Sequence, residues 1–259
     1  MKRVLAAAVA AVVTGAVLLG AAPAQAAAPD PVKAVKSKFA PGHGVKISEV
    51  MMMWSMGKKS VFIEITGTYG FGRSGVVASD LTLRSVLAKG ATTRLRTVGT
   101  RAYMSGDELE KSLPEGKTWV RMDDLDAGRT PSSQPVDIFR LPQLKGLLSH
   151  ASSVQNGVYR GELSRKQANA LGGGATFGYR LSTDSAGLPT RLYTVQEPLF
   201  GGGGDSTDTR YTAWGHEVSI VDPPDHEVIT ADALTDAARD KLLEEIQEIP
   251  DEALGSAGR

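Results

Sequence analysis

The sequence predicts an α+β fold: a strongly curved antiparallel β-sheet, open as a half-barrel, with helices on its concave side and an amphipathic helix at the C-terminus. Three observations carry this prediction. Strand-like runs follow one another from His43 to Met122 with only glycine, proline or charged turns between them. Such neighbours pair locally, whereas a parallel sheet would need helical crossovers. Ile138, Leu141, Leu144, Leu147 and Leu148 recur at three- and four-residue steps within Pro135 to Ser149, the period of a helix that can fill a curled sheet. After Pro224, Leu234, Ala238, Leu242, Ile246 and Ile249 form one stripe, with acids on the opposite face.

Taken in order, Lys2 and Arg3 precede an uninterrupted apolar stretch from Val4 to Ala22, and Ala24-Gln25-Ala26 fits a small-x-small cleavage site. Residues 1–26 are therefore read as a secretory signal peptide, with an uncleaved anchor as the alternative. Residues 27–42 form a leader with a short helix over Pro31 to Phe39. The half-barrel domain spans 43–228. VKISEVMMMWSM and KKSVFIEITGTY read as a hairpin turning near Gly57, and VVASDLTLRSVL, TTRLRTVG, TRAYMS and KTWVRM as the strands that follow. Pro142 begins or kinks the leucine helix. VQNGVYRGEL is a strand candidate with a turn at Asn156-Gly157, and SRKQANAL a short helix ended by Gly172 to Gly174. ATFGYRLST, LPTRLYTVQE and STDTRYTAWGHEVSIVDPP complete the strands. In the last of these Trp214-Gly215 interrupts the alternation, Val218 to Val221 resume it, and two prolines end it. Gly201 to Gly204 read as a hairpin loop. Residues 229–259 are an acidic helical tail, capped by Thr230 or Asp232.

Composition excludes much chemistry. The chain has no cysteine, so disulfides, thiol nucleophiles, thiolate metal sites and a lipid anchor on cysteine are absent. Its 29 basic and 29 acidic residues balance, giving no reason to expect nucleic acid as a partner. The balance is uneven along the chain: basic residues prevail from Pro29 to Val120, and acids from Asp232 to Glu252. That tail is either a solvated helix face or a segment that docks on the basic half.

Several motifs lack the context that would give them meaning. Gly70-Phe71-Gly72-Arg73-Ser74-Gly75 spells GxGxxG, but a strand-like run follows where a nucleotide site needs a helix. Ser55-Met56-Gly57-Lys58 spells SxxK without its SDN and KTG companions. His43, His150, His216 and His226 are scattered, none at helical metal-binding spacing, and Asp123-Asp124 reads as a solvated turn. The sequence therefore offers no catalytic residue, no metal site and no cofactor.

The run Val50, Met51, Met52, Met53, Trp54 and Met56 is apolar on both faces of a strand. Methionine is flexible and polarizable, which suits a wall that adapts to variable shapes. With the leucine stripe, it suggests a cavity for a hydrophobic ligand, lined by Met52, Trp54, Met56, Phe62, Tyr103, Trp119, Leu141, Leu144, Leu148, Tyr193 and Tyr211.

Four passages then carry a resemblance. GTRAYMSGDEL followed by GKTWVRMD, LPQLKGLLSHASSVQNGVYRGEL, TDSAGLPTRLYTV, and TRYTAWG through VSIVDPPDHEV resemble, in that order, segments of the actinobacterial lipid-binding lipoproteins. The match runs from Val45 to Val228, through Tyr103, Trp119, Leu188, Pro189, Trp214, Gly215 and Pro223. The resemblance implies the LolA-like half-barrel of the periplasmic lipoprotein carriers, and binding or carrying of lipids or lipoproteins outside the membrane. Two departures stand out: the relatives' cysteine after the signal sequence is missing, and the acidic tail runs past their usual end. The expectation is a secreted or envelope-exterior, monomeric, non-enzymatic binder of a lipid or acyl-chain ligand. The alternative is a cell-envelope sensor that binds a protein partner through the cleft or the acidic tail.

Overall fold

The computed structural model describes residues 29–55, 58–85, 91–122, 130–196 and 204–247. The signal peptide, Met56, the Gly57 turn, Asp123-Asp124, Gly201 to Gly203 and Ile249 lie outside the described residues.

After a short helix, α1 (Pro31–Lys36), come β1 (His43–Ser55), β2 (Lys58–Phe71), β3 (Val76–Ser85), β4 (Thr92–Val98) and β5 (Arg101–Gly106). A single turn, α2 (Asp107–Glu110), leads to β6 (Trp119–Met122). Helix α3 (Leu141–Ser149), β7 (Ala151–Gln155), β8 (Val158–Leu163) and α4 (Arg165–Ala170) follow. The chain continues as β9 (Phe177–Thr183), β10 (Pro189–Gln196), β11 (Gly204–Glu217), β12 (Val228–Thr230) and α5 (Asp236–Gln247). All twelve strands form one open sheet in the order β12-β6-β5-β4-β3-β2-β1-β11-β10-β9-β8-β7. It is a curved, unclosed α+β half-barrel. Every pairing is antiparallel except β12 on β6; sequence neighbours build most of them, and β1 on β11 joins the two halves of the sheet.

Strand alternation gives the sheet two distinct faces. Val45, Ile47, Glu49 and Met51 of β1 point inward beside Tyr69, Ile65 and Ile63 of β2. Leu81, Leu83, Leu95, Met104 and Val120 extend this face on one side, and Leu192, Leu181, Tyr179 and Phe177 on the other. Helices close over it. Leu144 and Leu147 of α3 and Val35 of α1 are fully buried in the same core. The C-terminal helix is docked there too, with Leu234, Ala238 and Leu242 buried and α5 packed against α2, where Leu109 is buried.

Local chemistry explains the boundaries. Asp30 caps α1 by accepting from the Val32 amide at 2.9 Å. Ser164 and Gln167 form a capping box on α4. Asn156 and Gly157, both at positive φ, form the β7–β8 turn. The GxGxxG stretch is a hairpin turn between β2 and β3, closed by the Gly72 amide donating to the Gly75 carbonyl at 2.8 Å.

Of the two readings of Pro142 the first holds: helix α3 begins at Leu141, since Pro142 lacks an amide hydrogen and fits the first turn. Residues 135–140 are irregular and include a turn in which the Arg140 amide donates to the Asp137 carbonyl at 3.2 Å. Two expectations need correction. Val218 to Val221 do not resume a strand. Ala213 and Gly215, at φ +52° and +80°, turn the chain, and it then crosses the outer face. Ile220 lies over Gly70 there, and Tyr103 donates to Asp222 at 2.8 Å. The C-terminal helix is capped by Thr235 rather than Thr230 or Asp232, its hydroxyl accepting from the Ala238 amide at 3.3 Å.

Candidate functional site

Between β6 and α3, residues 130–140 run as an irregular strap across the inner face. Pro131, Ser133, Gln134, Pro135, Val136, Ile138 and Phe139 are all buried. A strap outside helix and sheet leaves backbone groups without ladder partners, so side chains must satisfy them. Glu49 supplies the anchor. It is 1% exposed, and one carboxylate oxygen accepts from Ser132 Oγ and Thr209 Oγ1, both at 2.6 Å. The other oxygen accepts from the Ser133 amide at 2.6 Å. Gln134 ties the strap to the opposite side of the sheet. Its amide donates to the Leu192 carbonyl at 3.0 Å and to Thr209 Oγ1 at 2.8 Å. Its oxygen accepts from Thr194 Oγ1 at 2.9 Å. Tyr69 donates to the Pro131 carbonyl.

Phe139 plugs the end of the strap into aromatic packing. Its ring lies 5.3 Å from Tyr69, 5.9 Å from Phe71, and 5.8 Å from both Tyr211 and Trp214. Burial pushes the Tyr69 and Tyr211 hydroxyls well above the ordinary phenol range, and the nearby Glu49 carboxylate adds to the effect. The space left between strap and sheet is about 10 Å³, no more than a single water needs. The middle of the inner face is thus filled by the chain itself.

Open space lies beside α3. One cleft of about 580 Å³ sits between the β2–β3 turn and the start of α3, lined by Ser74, Val76, Asp137, Phe139, Arg140 and Leu141. A second of about 580 Å³ separates α1 from α3. Val32, Leu141 and Leu148 form its apolar part, and Lys33, Lys36, Lys145 and Asp30 its charged part.

The expected cavity residues divide between the two faces. Leu144 and Tyr211 are buried on the inner side, and Leu141 and Leu148 are half-buried at the α1–α3 cleft. Phe62 is the extra residue of a bulge in β2 opposite Met51 and Met52, and packs on the core edge. Met52, Trp54, Tyr103, Trp119 and Tyr193 lie on the outer face. There Trp119 is covered by Arg94 and Arg96, whose guanidinium carbons are 5.2 and 4.9 Å from its ring. Met56 lies outside the described residues. Nothing in the sequence pattern marks Gln134 or Phe139; Glu49 carries the one signal, a lone acid among the inward positions Val45, Ile47 and Met51.

His43 and His216 sit at the ends of β1 and β11, His150 ends α3 and His226 is exposed; His43 Nδ1 is 3.2 Å from the Pro41 carbonyl. Among the described residues no three His, Asp or Glu side chains are placed to hold a metal. No helix there is long and apolar enough to cross a membrane.

No known family matches the chain, and no curated protein matches its sequence. Among solved structures it is similar to a LolA-superfamily protein from Nitrosomonas europaea. The two are 10% identical over 75% of this chain and 94% of that one, with a TM-score of 0.31. A superposition that loose carries no argument, and the fold stands on its strand pairing.

Proposed function

We propose that the chain is an exported, non-enzymatic binding protein that holds a lipid or other hydrophobic ligand, acting as a carrier outside the membrane. The observation that carries this reading is the cleft between α1 and α3. Val32, Leu141 and Leu148 offer apolar contact, and Lys33, Lys36 and Lys145 outnumber the one lining acid, Asp30, which caps α1. An amphiphile with an acyl chain and an anionic head fits that chemistry. Each buried methylene contributes about 0.8 kcal/mol, and a volume of this size is ordinary for a small-molecule site. A larger ligand requires the strap, which continues directly into α3, to give up the inner face. The resemblance of the ordered motifs to lipid-binding lipoproteins supports the same reading.

Native mass spectrometry and organic extraction of the exported protein test it. The expected result is a co-purifying acyl lipid that Leu148→Glu abolishes and that Lys145→Glu depletes. A clean apo mass, unaltered after incubation with membrane lipids, overturns it. One observation favours a second reading. The inner face already holds a polypeptide through Glu49 and Gln134, as the groove of a cell-envelope sensor would hold a segment of a protein partner.

A further inference from the structure

The outer face of β8 to β11 sets arginine opposite arginine. Arg160 of β8 faces Arg180 of β9, and Arg191 of β10 faces Arg210 of β11. Like charges directly opposed on neighbouring strands oppose folding. Arg191 is neutralised by Asp208, at 2.6 and 2.7 Å. Among the described residues Arg160, Arg180 and Arg210 form no ion pair, and all three are exposed. The arrangement weakens the fold, and no ion pair among the described residues offsets it. A field of this kind serves an anion outside it.

Toward the β1–β2 hairpin the same face becomes apolar. Met52 of β1 lies in register with Val61 of β2 and, through Ser206, with Val195 of β10. Beyond it Trp54 is half-buried on the same face, with Lys59 Nζ 4.9 Å from its ring centroid. At about 3.3 Å per residue, the Arg160–Arg180 row lies roughly 13 Å from Trp54 along the strands. Tryptophan at one level and long cationic side chains at the next is the layering of a lipid headgroup region. A nucleic acid or an acidic protein would have use for the arginines but none for the apolar end.

We propose that this outer face, from Trp54 to the arginines of β8 to β11, docks on an anionic lipid bilayer. The proposal is independent of what the α1–α3 cleft holds.

Co-sedimentation of the exported protein with sucrose-loaded vesicles tests it. Vesicles of phosphatidylcholine are compared with vesicles of about equal parts phosphatidylcholine and phosphatidylglycerol. The expected result is binding to the anionic vesicles only, lost when salt is raised to about 1 M, where the screening length is about 3 Å. Arg160→Ser with Arg180→Ser lowers the partition roughly fivefold per arginine. Trp54→Ser lowers it further. The double arginine variant keeps its circular dichroism spectrum and melts no lower than the parent, since a repulsion is removed, and takes up an acyl-chain probe unchanged. Equal binding to neutral vesicles, wild-type binding by the double variant, or capture of soluble anionic polymers without any vesicle binding overturns the proposal. Loss of probe uptake in Leu148→Glu with vesicle binding intact separates this surface from the cleft.

Discussion

The two faces of the sheet carry polar groups of the same kinds and use them in opposite ways. Inward, Glu49 is buried and accepts three short hydrogen bonds, so each donor depends on it and has no water to replace it. Outward, Asp80 also meets several donors, at 2.6 Å from Arg96 and 3.1 Å from Arg94, but Arg94 is 45% exposed. Water competes there, and such pairs add little. Identical alternation along a strand thus yields a locked interior and an adjustable exterior. The difference teaches that the inner network specifies where the strap sits, while the outer charges remain available to partners.

The comparison is broken most directly at Glu49. Glu49→Ala leaves two hydroxyls and an amide unsatisfied in the interior and is expected to cost about 3–5 kcal/mol. Urea unfolding followed by circular dichroism measures it, and a loss under about 1 kcal/mol would mean that the strap is held by packing alone. Leu144→Ala, in the same core, is expected to cost about 3 kcal/mol, within the range for leucine truncations in packed cores.

Alkaline pH is a milder probe of the inner face. Burial raises Tyr69 and Tyr211 well above the ordinary value, and pushes Tyr179 up to about 12. These phenols hold their protons more tightly folded than unfolded. Their contribution is complete below about pH 10, the unfolded value, and is lost as pH rises toward and past the folded values. Urea midpoints measured from pH 8 to 12 should therefore fall above about pH 10. Tyr179→Phe should flatten part of that fall while costing about 1 kcal/mol at neutral pH, through its lost bond to the Leu147 carbonyl. The smallest effect belongs outside. Breaking the Arg191–Asp208 pair with Asp208→Ala should shift stability by less than about 1 kcal/mol. A larger loss would show that the outer face is built more like the inner one.

Much of this architecture was legible because strand period, turn glycines and helix stripes are local properties. Asn156-Gly157 announced its turn, the acidic tail its apolar stripe, and the absence of cysteine its chemistry. The candidate site was less legible. Met52, Trp54 and Tyr193 were grouped with Leu144 by apolar character, yet strand parity sends them to the other face. Ile138 and Leu141 share a helical spacing, but only Leu141 is helical, because Pro142 fits a first turn and not an interior.

The sequence by itself determined the order of the elements, the open antiparallel character of the sheet and the alternation that gives it two faces. Only the tertiary structure decided what fills the half-barrel. The strap's backbone groups are met by Glu49, Tyr69 and Thr207, which stand far away in the chain. A segment held by distant side chains leaves no local signature, and becomes visible only once the sheet has brought those side chains together.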